Sequence, residues 1–306
     1  MSSRPASRLA TDRRRTEQRN PASKNLDRLS AAQIVRLMNR EDCKVTIAVR
    51  HELPAIANAV EAIVDALRNG GRLFYVGAGS SGRMAVLDAA EVAPTYGTPP
   101  ELVQALIAGG RKAVTSAVEG AEDAARNGER DLRARGFSDQ DIVVGIAASG
   151  TTPYVLGALK YARKQGAKIV ALTSNRRMPI TRLADIVIAP EVGPEVVTGS
   201  TRLKAGTSQK LVLNMLSTAA MVRLGHVYQN LMIDAVLTNK KLQDRALRMV
   251  AEASGESVSA SRRALRQAGH DTRTALLMLK RKVTAVEARE LLAQTGGDLR
   301  RALGEA

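Results

Sequence analysis

Apolar positions follow two different rhythms along the chain. Ile34, Leu37 and Met38, then Val45, Ile47 and Val49, then Ile56, Val60, Ile63, Val64 and Leu67 recur at helical spacing, which predicts two or more helices ending at Asn69-Gly70-Gly71. Five short apolar runs follow, at 72–76, 102–107, 141–146, 168–173 and 185–189, separated by segments of helical or loop character. Parallel strands need a crossover long enough to carry a helix, so this alternation predicts α/β architecture: a three-layer sandwich around a five-stranded parallel sheet. A Gly/Ser/Thr-rich loop at 193–200 comes next, and Leu211, Leu213, Met215, Leu216, Met221 and Leu224 predict a long core helix after it.

Beyond Asn239 the strand signals stop, and Gly269-x-Asp271-x-Arg273-x-Ala275-Leu276 recurs as Gly296-x-Asp298-x-Arg300-x-Ala302-Leu303. In each copy Gly can end one helix and Asp can cap the next, predicting two similar helical hairpins. The expected organisation is a disordered basic tail over residues 1–25, an α/β domain with N-terminal helices over 26–239, and a small helical domain over 240–306.

Composition narrows the function classes. With 44% hydrophobic and 25% charged residues in a chain of 306, there is material for a sizeable core. The net charge of +16 points first to a polyanion, yet residues 1–28 carry +5 of it and residues 240–306 carry +6. Aromatic residues are 2% with no Trp, which leaves little for base stacking, so no nucleic-acid partner is expected. Cys43 is the sole cysteine, which excludes an intrachain disulfide and fits a reducing compartment, the cytoplasm. No apolar run reaches the ~18 residues of a membrane span, and no membrane association is expected.

Gly77-Ala78-Gly79-Ser80-Ser81-Gly82 leaves the first predicted strand and opens a helix, the arrangement in which bare amides and a helix N-terminus hold a phosphate. A dinucleotide would also need an acidic residue ending the second strand, but that strand runs into Ala108-Gly109-Gly110. No Gly-Lys-Ser/Thr follows such a loop, which disfavours a nucleoside triphosphate. A second hydroxyl-rich loop, Ser149-Gly150-Thr151-Thr152, ends the third strand. Carboxyl ends of parallel strands share one rim, so the loops can converge on a small polar ligand such as a sugar phosphate; each alone also reads as a tight turn.

The three histidines, His51, His226 and His270, lie away from the strand ends, and no residue set has metal-ligand spacing. Carboxylates remain. Glu91, in Ala-Ala-Glu-Val-Ala-Pro, stands where apolar neighbours can raise its pKa for proton donation, or is a surface helix carboxylate. Glu119 opens a cluster of three acids after the second strand, which is also the composition of a solvated turn. Glu91 lies ~15 Å from the phosphate-facing end of a straight helix. Either that helix breaks near residues 92–94 or a second subunit completes the site, and a homodimer with shared active sites is the expectation. Arg202 and Lys204 are placed to reach an anion from the loop after the fifth strand, or form a surface pair.

Four long stretches carry a specific resemblance. Gly77 to Arg83 (Gly-Ala-Gly-Ser-Ser-Gly-Arg), Ala147 to Tyr154 (Ala-Ala-Ser-Gly-Thr-Thr-Pro-Tyr), Gly193 to Lys210, and Asn230 to Asp234 (Asn-Leu-Met-Ile-Asp) resemble the bacterial N-acetylmuramic acid 6-phosphate etherases, from about Leu26 to the C-terminus. The resemblance implies a sugar isomerase-type phosphosugar-binding domain, a helical C-terminal domain and a homodimer. It also implies removal of the D-lactyl ether from C3 by elimination and hydration during cell-wall recycling, without metal or organic cofactor. By it, Glu91 is the proton donor to the leaving oxygen and Glu119 the second essential acid, read as the C2 base. Gly79, Ser80, Ser81, Gly82, Ser149, Gly150, Thr152 and Lys204 are the phosphosugar contacts. Ser80 stands where Thr is usual, and Ala90-Glu91-Val92-Ala93 where Ser-Glu-Cys-Pro is common. A non-catalytic phosphosugar-binding regulator and an aldose–ketose isomerase are the competing readings; the second gives no reason for an acid aimed at the C3 substituent.

Overall fold

The computed structural model describes residues 14–237 and 239–305. Helix α1 (Ala31–Arg50) begins at a capping box in which Ser30 and Gln33 satisfy each other's end amides, and α2 (Leu53–Arg68) starts with Pro in its first turn. Alternation then follows: β1 (Leu73–Gly77), α3 (Gly79–Tyr96), β2 (Val103–Ile107), the one-turn α4 (Lys112–Thr115), α5 (Ala125–Arg133), β3 (Ile142–Ile146), α6 (Pro153–Gln165), β4 (Lys168–Leu172), β5 (Ile186–Ile188) and α7 (Lys204–Arg223). Each strand falls within its predicted run, give or take a residue.

All five strands are parallel in the order β2-β1-β3-β4-β5. β1 and β3 are buried on both faces, as unbroken Val/Ile/Leu-rich runs in a doubly covered sheet should be. One core joins the sheet to α1, α2, α3 and α7 through residues such as Val45, Ile63, Ala85 and Leu213; the other joins it to α5 and α6 through Leu132, Val155, Ala158 and Ala162. On the second face α5 and α6 touch backbone to backbone: a Cβ on Gly128 would meet Tyr154 O at 1.9 Å, and one on Gly157 would meet Ala125 O at 1.9 Å. Only glycine allows that approach.

The end of the chain forms α8 (Lys240–Ser254), α9 (Val258–Gln267), α10 (Thr272–Arg281), α11 (Ala285–Gln294) and α12 (Leu299–Leu303). The repeat does what its residues dictate: Gly269 and Gly296 turn left-handed (φ 69° and 63°), and Asp271 and Asp298 cap α10 and α12 through the amides of Thr274 and Arg301. This helical unit has its own core, which also takes in Tyr228 and Ile233, so its packing begins before residue 239.

The disordered tail expected over residues 1–25 needs correction. Residues 1–13 lie outside the described residues, but 14–25 are folded: short 3-10 turns at Arg15–Glu17 and Pro21–Ser23 place Thr16 and Asn20 in buried positions. The segment lacks apolar periodicity because hydrogen bonds, not hydrophobic burial, hold it, and such bonds leave no rhythm in the sequence.

Candidate functional site

β1 leads to β2 on one side while β3 lies on the other, so the chain reverses direction of winding between β1 and β3. Ligands of open parallel sheets bind in the crevice beyond the strand ends at such a switch point. Both hydroxyl loops flank it. A hollow of about 430 Å³ is lined there by Ala78, Gly79, Ser80, Ser81, Ser149, Thr151, Thr152 and Pro153, a size that suits a small ligand.

Local geometry explains the loop sequences. A Cβ on Gly77 would meet the Gly82 amide nitrogen at 2.7 Å, and one on Gly82 would meet Ile107 Cγ1 at 2.5 Å, so the turn from β1 into α3 closes only with glycine at both places. After β3, Gly150 is left-handed (φ 74°), and Ser149 Oγ accepts from the Thr151 amide (3.3 Å) and hydroxyl (3.1 Å). Thr152 is the N-cap residue of α6 with Pro153 following. The amino ends of α3 and α6 both meet the hollow, and their unpaired amides and positive dipole ends favour a phosphate.

Carboxylates approach from the turn after β2. Glu122 and Asp123, in a 3-10 turn at Ala121–Asp123, line the serine-lined hollow. Glu119 lines an adjoining hollow of about 310 Å³, which shares Ala78, Gly79 and Glu122 with the first. The end of α4, which leads into this turn, is tied to α3 by Arg83, whose guanidinium donates to Val114 O (3.1 Å) and Ser116 O (3.2 Å). Of the acids in this cluster, Glu122 faces both hollows. The resemblance singles out Glu119, whereas the turn after left-handed Gly120 (φ 70°) carries Glu122 to both hollows and Glu119 to the adjoining one only.

Glu91 is exposed on α3, which runs unbroken to Tyr96 with Pro94 inside its last turns, so the helix does not bend to bring it back. It is not among the residues lining either hollow. One turn earlier, buried Asp88 accepts from Asn214 Nδ2 (2.7 Å) and Ser217 Oγ (3.1 Å), which ties α3 to α7; burial outweighs these bonds and pushes its carboxyl above the ordinary range.

Lys204 departs from the expected role. It is 1% exposed, and its Nζ donates to Glu41 Oε2 at 2.8 Å, facing the core between α1 and α7 and not the hollow. Burial by itself would raise Glu41, but hydrogen bonds from Lys204, Lys44 and Asn20 together with the Lys204 charge hold it down at about 2. Thr201, three residues earlier, does line the hollow, while Arg202 is exposed. Two residues not foreseen join the lining from the N-terminal segment, Arg14 and Glu17.

Comparisons with known proteins bear on the fold and the family. Residues 55–163 match the glucokinase regulatory protein N-terminal SIS domain, and residues 126–219 match the SIS domain. A phosphoheptose isomerase from Francisella tularensis superposes with a TM-score of 0.50 over 63% of this chain and 100% of its own at 22% identity, a likeness of fold. The N-acetylmuramic acid 6-phosphate etherase of Pectobacterium atrosepticum is 53% identical over 288 residues, 94% of this chain and 95% of that protein. That of Yersinia pestis (strain Pestoides F) is 54% identical over 94% of this chain and 98% of its own. A match of 288 residues is longer than the stretch from Leu26 to the end, so it takes in part of the folded N-terminal segment. At this identity and coverage, the chain belongs to the N-acetylmuramic acid 6-phosphate etherase family.

Proposed function

We propose that the protein cleaves the D-lactyl ether of N-acetylmuramic acid 6-phosphate, giving N-acetylglucosamine 6-phosphate and D-lactate, and that it does so as a cytoplasmic homodimer with shared sites. The observation that carries this reading is an acidic turn facing a hydroxyl-lined, amide-rich hollow at the sheet's switch point.

In the open-chain sugar the aldehyde acidifies the C2 proton. A carboxylate takes that proton, the C3–oxygen bond breaks with its electron pair leaving on lactate, and a carboxylic acid protonates the departing oxygen. Water then adds at C3 of the unsaturated aldehyde, its proton returning to C2, so the net change is one water consumed. Two carboxyl groups suffice for these transfers. Gly79, Ser80, Ser81, Gly82, Ser149, Gly150 and Thr152 form the phosphate cradle in this reading. Glu122 is the C2 base because it lines the cradle directly, Glu119 borders it, and Glu91 of the partner protomer is the acid.

The decisive assay is enzymatic detection of D-lactate from wild type, Glu122→Gln and Glu119→Gln, with product binding measured alongside. Wild type should turn over; Glu122→Gln should lose ~10²-fold or more of kcat, within the usual range for a general base, while still binding product. Turnover preserved in Glu122→Gln and lost in Glu119→Gln would move the base to Glu119. The match to a regulatory domain favours one other reading, a binding-only sensor, and tight product binding by a wild type that releases no lactate would establish it.

A further inference from the structure

We propose that residues 14–25 are a strap forming one wall of the phosphosugar site, in which Glu17 accepts hydrogen bonds from the sugar's hydroxyl or amide groups and Arg14 faces its phosphate. The inference rests on the phosphosugar reading of the hollow and adds a recognition element to it.

The strap is attached to the rim around the cradle and, at Asn20, to Glu41 of α1. The Arg15 amide donates to Asn175 Oδ1 (2.8 Å), and Asn175 Nδ2 in turn donates to Thr16 Oγ1 (3.2 Å) and to Ala148 O (2.8 Å), directly before Ser149. Asn20 Nδ2 donates to Pro194 O (3.1 Å) and to Glu41 Oε2 (2.9 Å), the oxygen that also receives Lys204. Ala148, Asn175 and Pro194 follow β3, β4 and β5, so the strap crosses the carboxyl edge of three strands. Thr16, Asn20, Glu41 and Lys204 are each more than nine-tenths buried. Polar groups so far from water keep their stability only while paired, and their directional bonds fix the strap in one register.

That register turns Arg14 and Glu17 into the hollow beside Gly79, Ser80, Ser149 and Thr201. Opposite Glu17, a Cβ on Gly199 would lie 3.4 Å from its Oε2, so the neighbouring loop leaves it room. A carboxylate adjoining a phosphate cradle repels the phosphate, so its favourable ligand contact is with the donors at the other end of the molecule. A guanidinium suits the phosphate itself. Lys204 thus serves the site indirectly: with Glu41 it anchors Asn20, and Asn20 anchors the strap.

The test measures KM and kcat for lactate release, calorimetric Kd for N-acetylglucosamine 6-phosphate, and melting temperature, for wild type, Glu17→Gln and Glu17→Asp. Loss of one charge-assisted contact predicts about tenfold higher KM and Kd in Glu17→Gln, with kcat and melting temperature near wild type and partial recovery in Glu17→Asp. Trypsin cleavage after Arg15 and Arg19, both exposed, should also slow when the sugar phosphate is bound. Unchanged KM and Kd in Glu17→Gln, or cleavage indifferent to ligand, overturns the proposal. A wild type that binds product without releasing lactate overturns the etherase reading alone, since the strap is still read from Kd; one that binds no sugar phosphate overturns both.

Discussion

If Glu91 acts in the neighbouring protomer's site, two inactive variants should repair each other. Ten residues separate Ser81 from Glu91 along the unbroken α3, a rise of ~15 Å, which exceeds the reach of a hexose from its phosphate to its C3 oxygen. The perturbation is a pair of proteins, Glu91→Ala and Glu122→Ala, each expected to lose ~10²- to 10⁴-fold of turnover because each lacks one proton-transfer group. Both residues are exposed, so neither substitution should alter the melting temperature. Mixed in equal amounts and allowed to exchange subunits, they form mixed dimers in about half of the population. Within a mixed dimer one site combines the intact Glu122 of one chain with the intact Glu91 of the other, and the second site lacks both. Half of the sites in half of the dimers gives about a quarter of wild-type activity, far above either parent. Lactate release measured against exchange time should rise toward that plateau. A mixture that stays at the mean of its parents after exchange has been demonstrated, by a tagged-subunit pull-down, would refute the shared site.

Other consequences follow from the buried charges and the close-packed helices. Lys204→Met takes away the buried cation facing Glu41, leaving that carboxylate only Asn20 and the exposed Lys44, and should cost up to about 3 kcal/mol by urea denaturation at neutral pH. Because the folded carboxyl is held at about 2 and the unfolded one sits near 4.5, the stability that Glu41 contributes to the wild type should be fully present above about pH 4.5 and be lost as pH falls toward 2, as urea denaturation across that range would measure. Asp88→Asn should stabilise the protein at pH 8, since burial raises the wild-type carboxyl in spite of its hydrogen bonds; protonation removes that penalty, so the advantage over wild type in melting temperature should shrink in acid. Gly157→Ala should separate α5 from α6 and lower stability by roughly 1–3 kcal/mol or more, and a melting temperature equal to wild type would show that the helices can part freely.

Periodicity made the α/β core legible because burial on both sheet faces forces unbroken apolar strands, and the glycines and hydroxyls of the two loops announced their strand ends. The same logic exposed the C-terminal repeat, where Gly and Asp have fixed tasks at helix ends. It failed where stability comes from polar pairing. The segment 14–25 reads as disordered because Thr16 and Asn20 look solvated until Asn175 and Glu41, 159 and 21 positions away, are brought to them. Lys204 fails for the same reason: a lysine near an anion site looks like a ligand contact until its carboxylate partner appears on another helix. Among the clustered acids the resemblance points to Glu119, but periodicity carries no information about how a short turn aims its side chains, and the turn that follows left-handed Gly120 brings Glu122 to both hollows.

α3 links all the parts of the proposed machinery, and the structure holds it along its whole length. Its amino end lines the hollow, Arg83 ties it to the end of α4 ahead of the acidic turn, and Asp88 joins it to α7 through Asn214 and Ser217. Its carboxyl end meets the segment before the helical unit, where the Val236 amide donates to Pro94 O (3.2 Å) and Asp234 O lies where a Cβ on Gly97 would be, at 2.6 Å. Asp234 is held in turn by His226 Nδ1 (2.7 Å) and by Arg273 Nε (2.6 Å), a residue of the first repeat; burial would raise its carboxyl, and these partners keep it low. Among the described residues the small helical unit contributes none of the hollow's lining, yet it fixes the end of the helix that presents Glu91. In the proposed shared site, an acid that meets the neighbouring protomer's cradle has to be held rigidly on its own chain, and the repeat's contribution would be to that positioning.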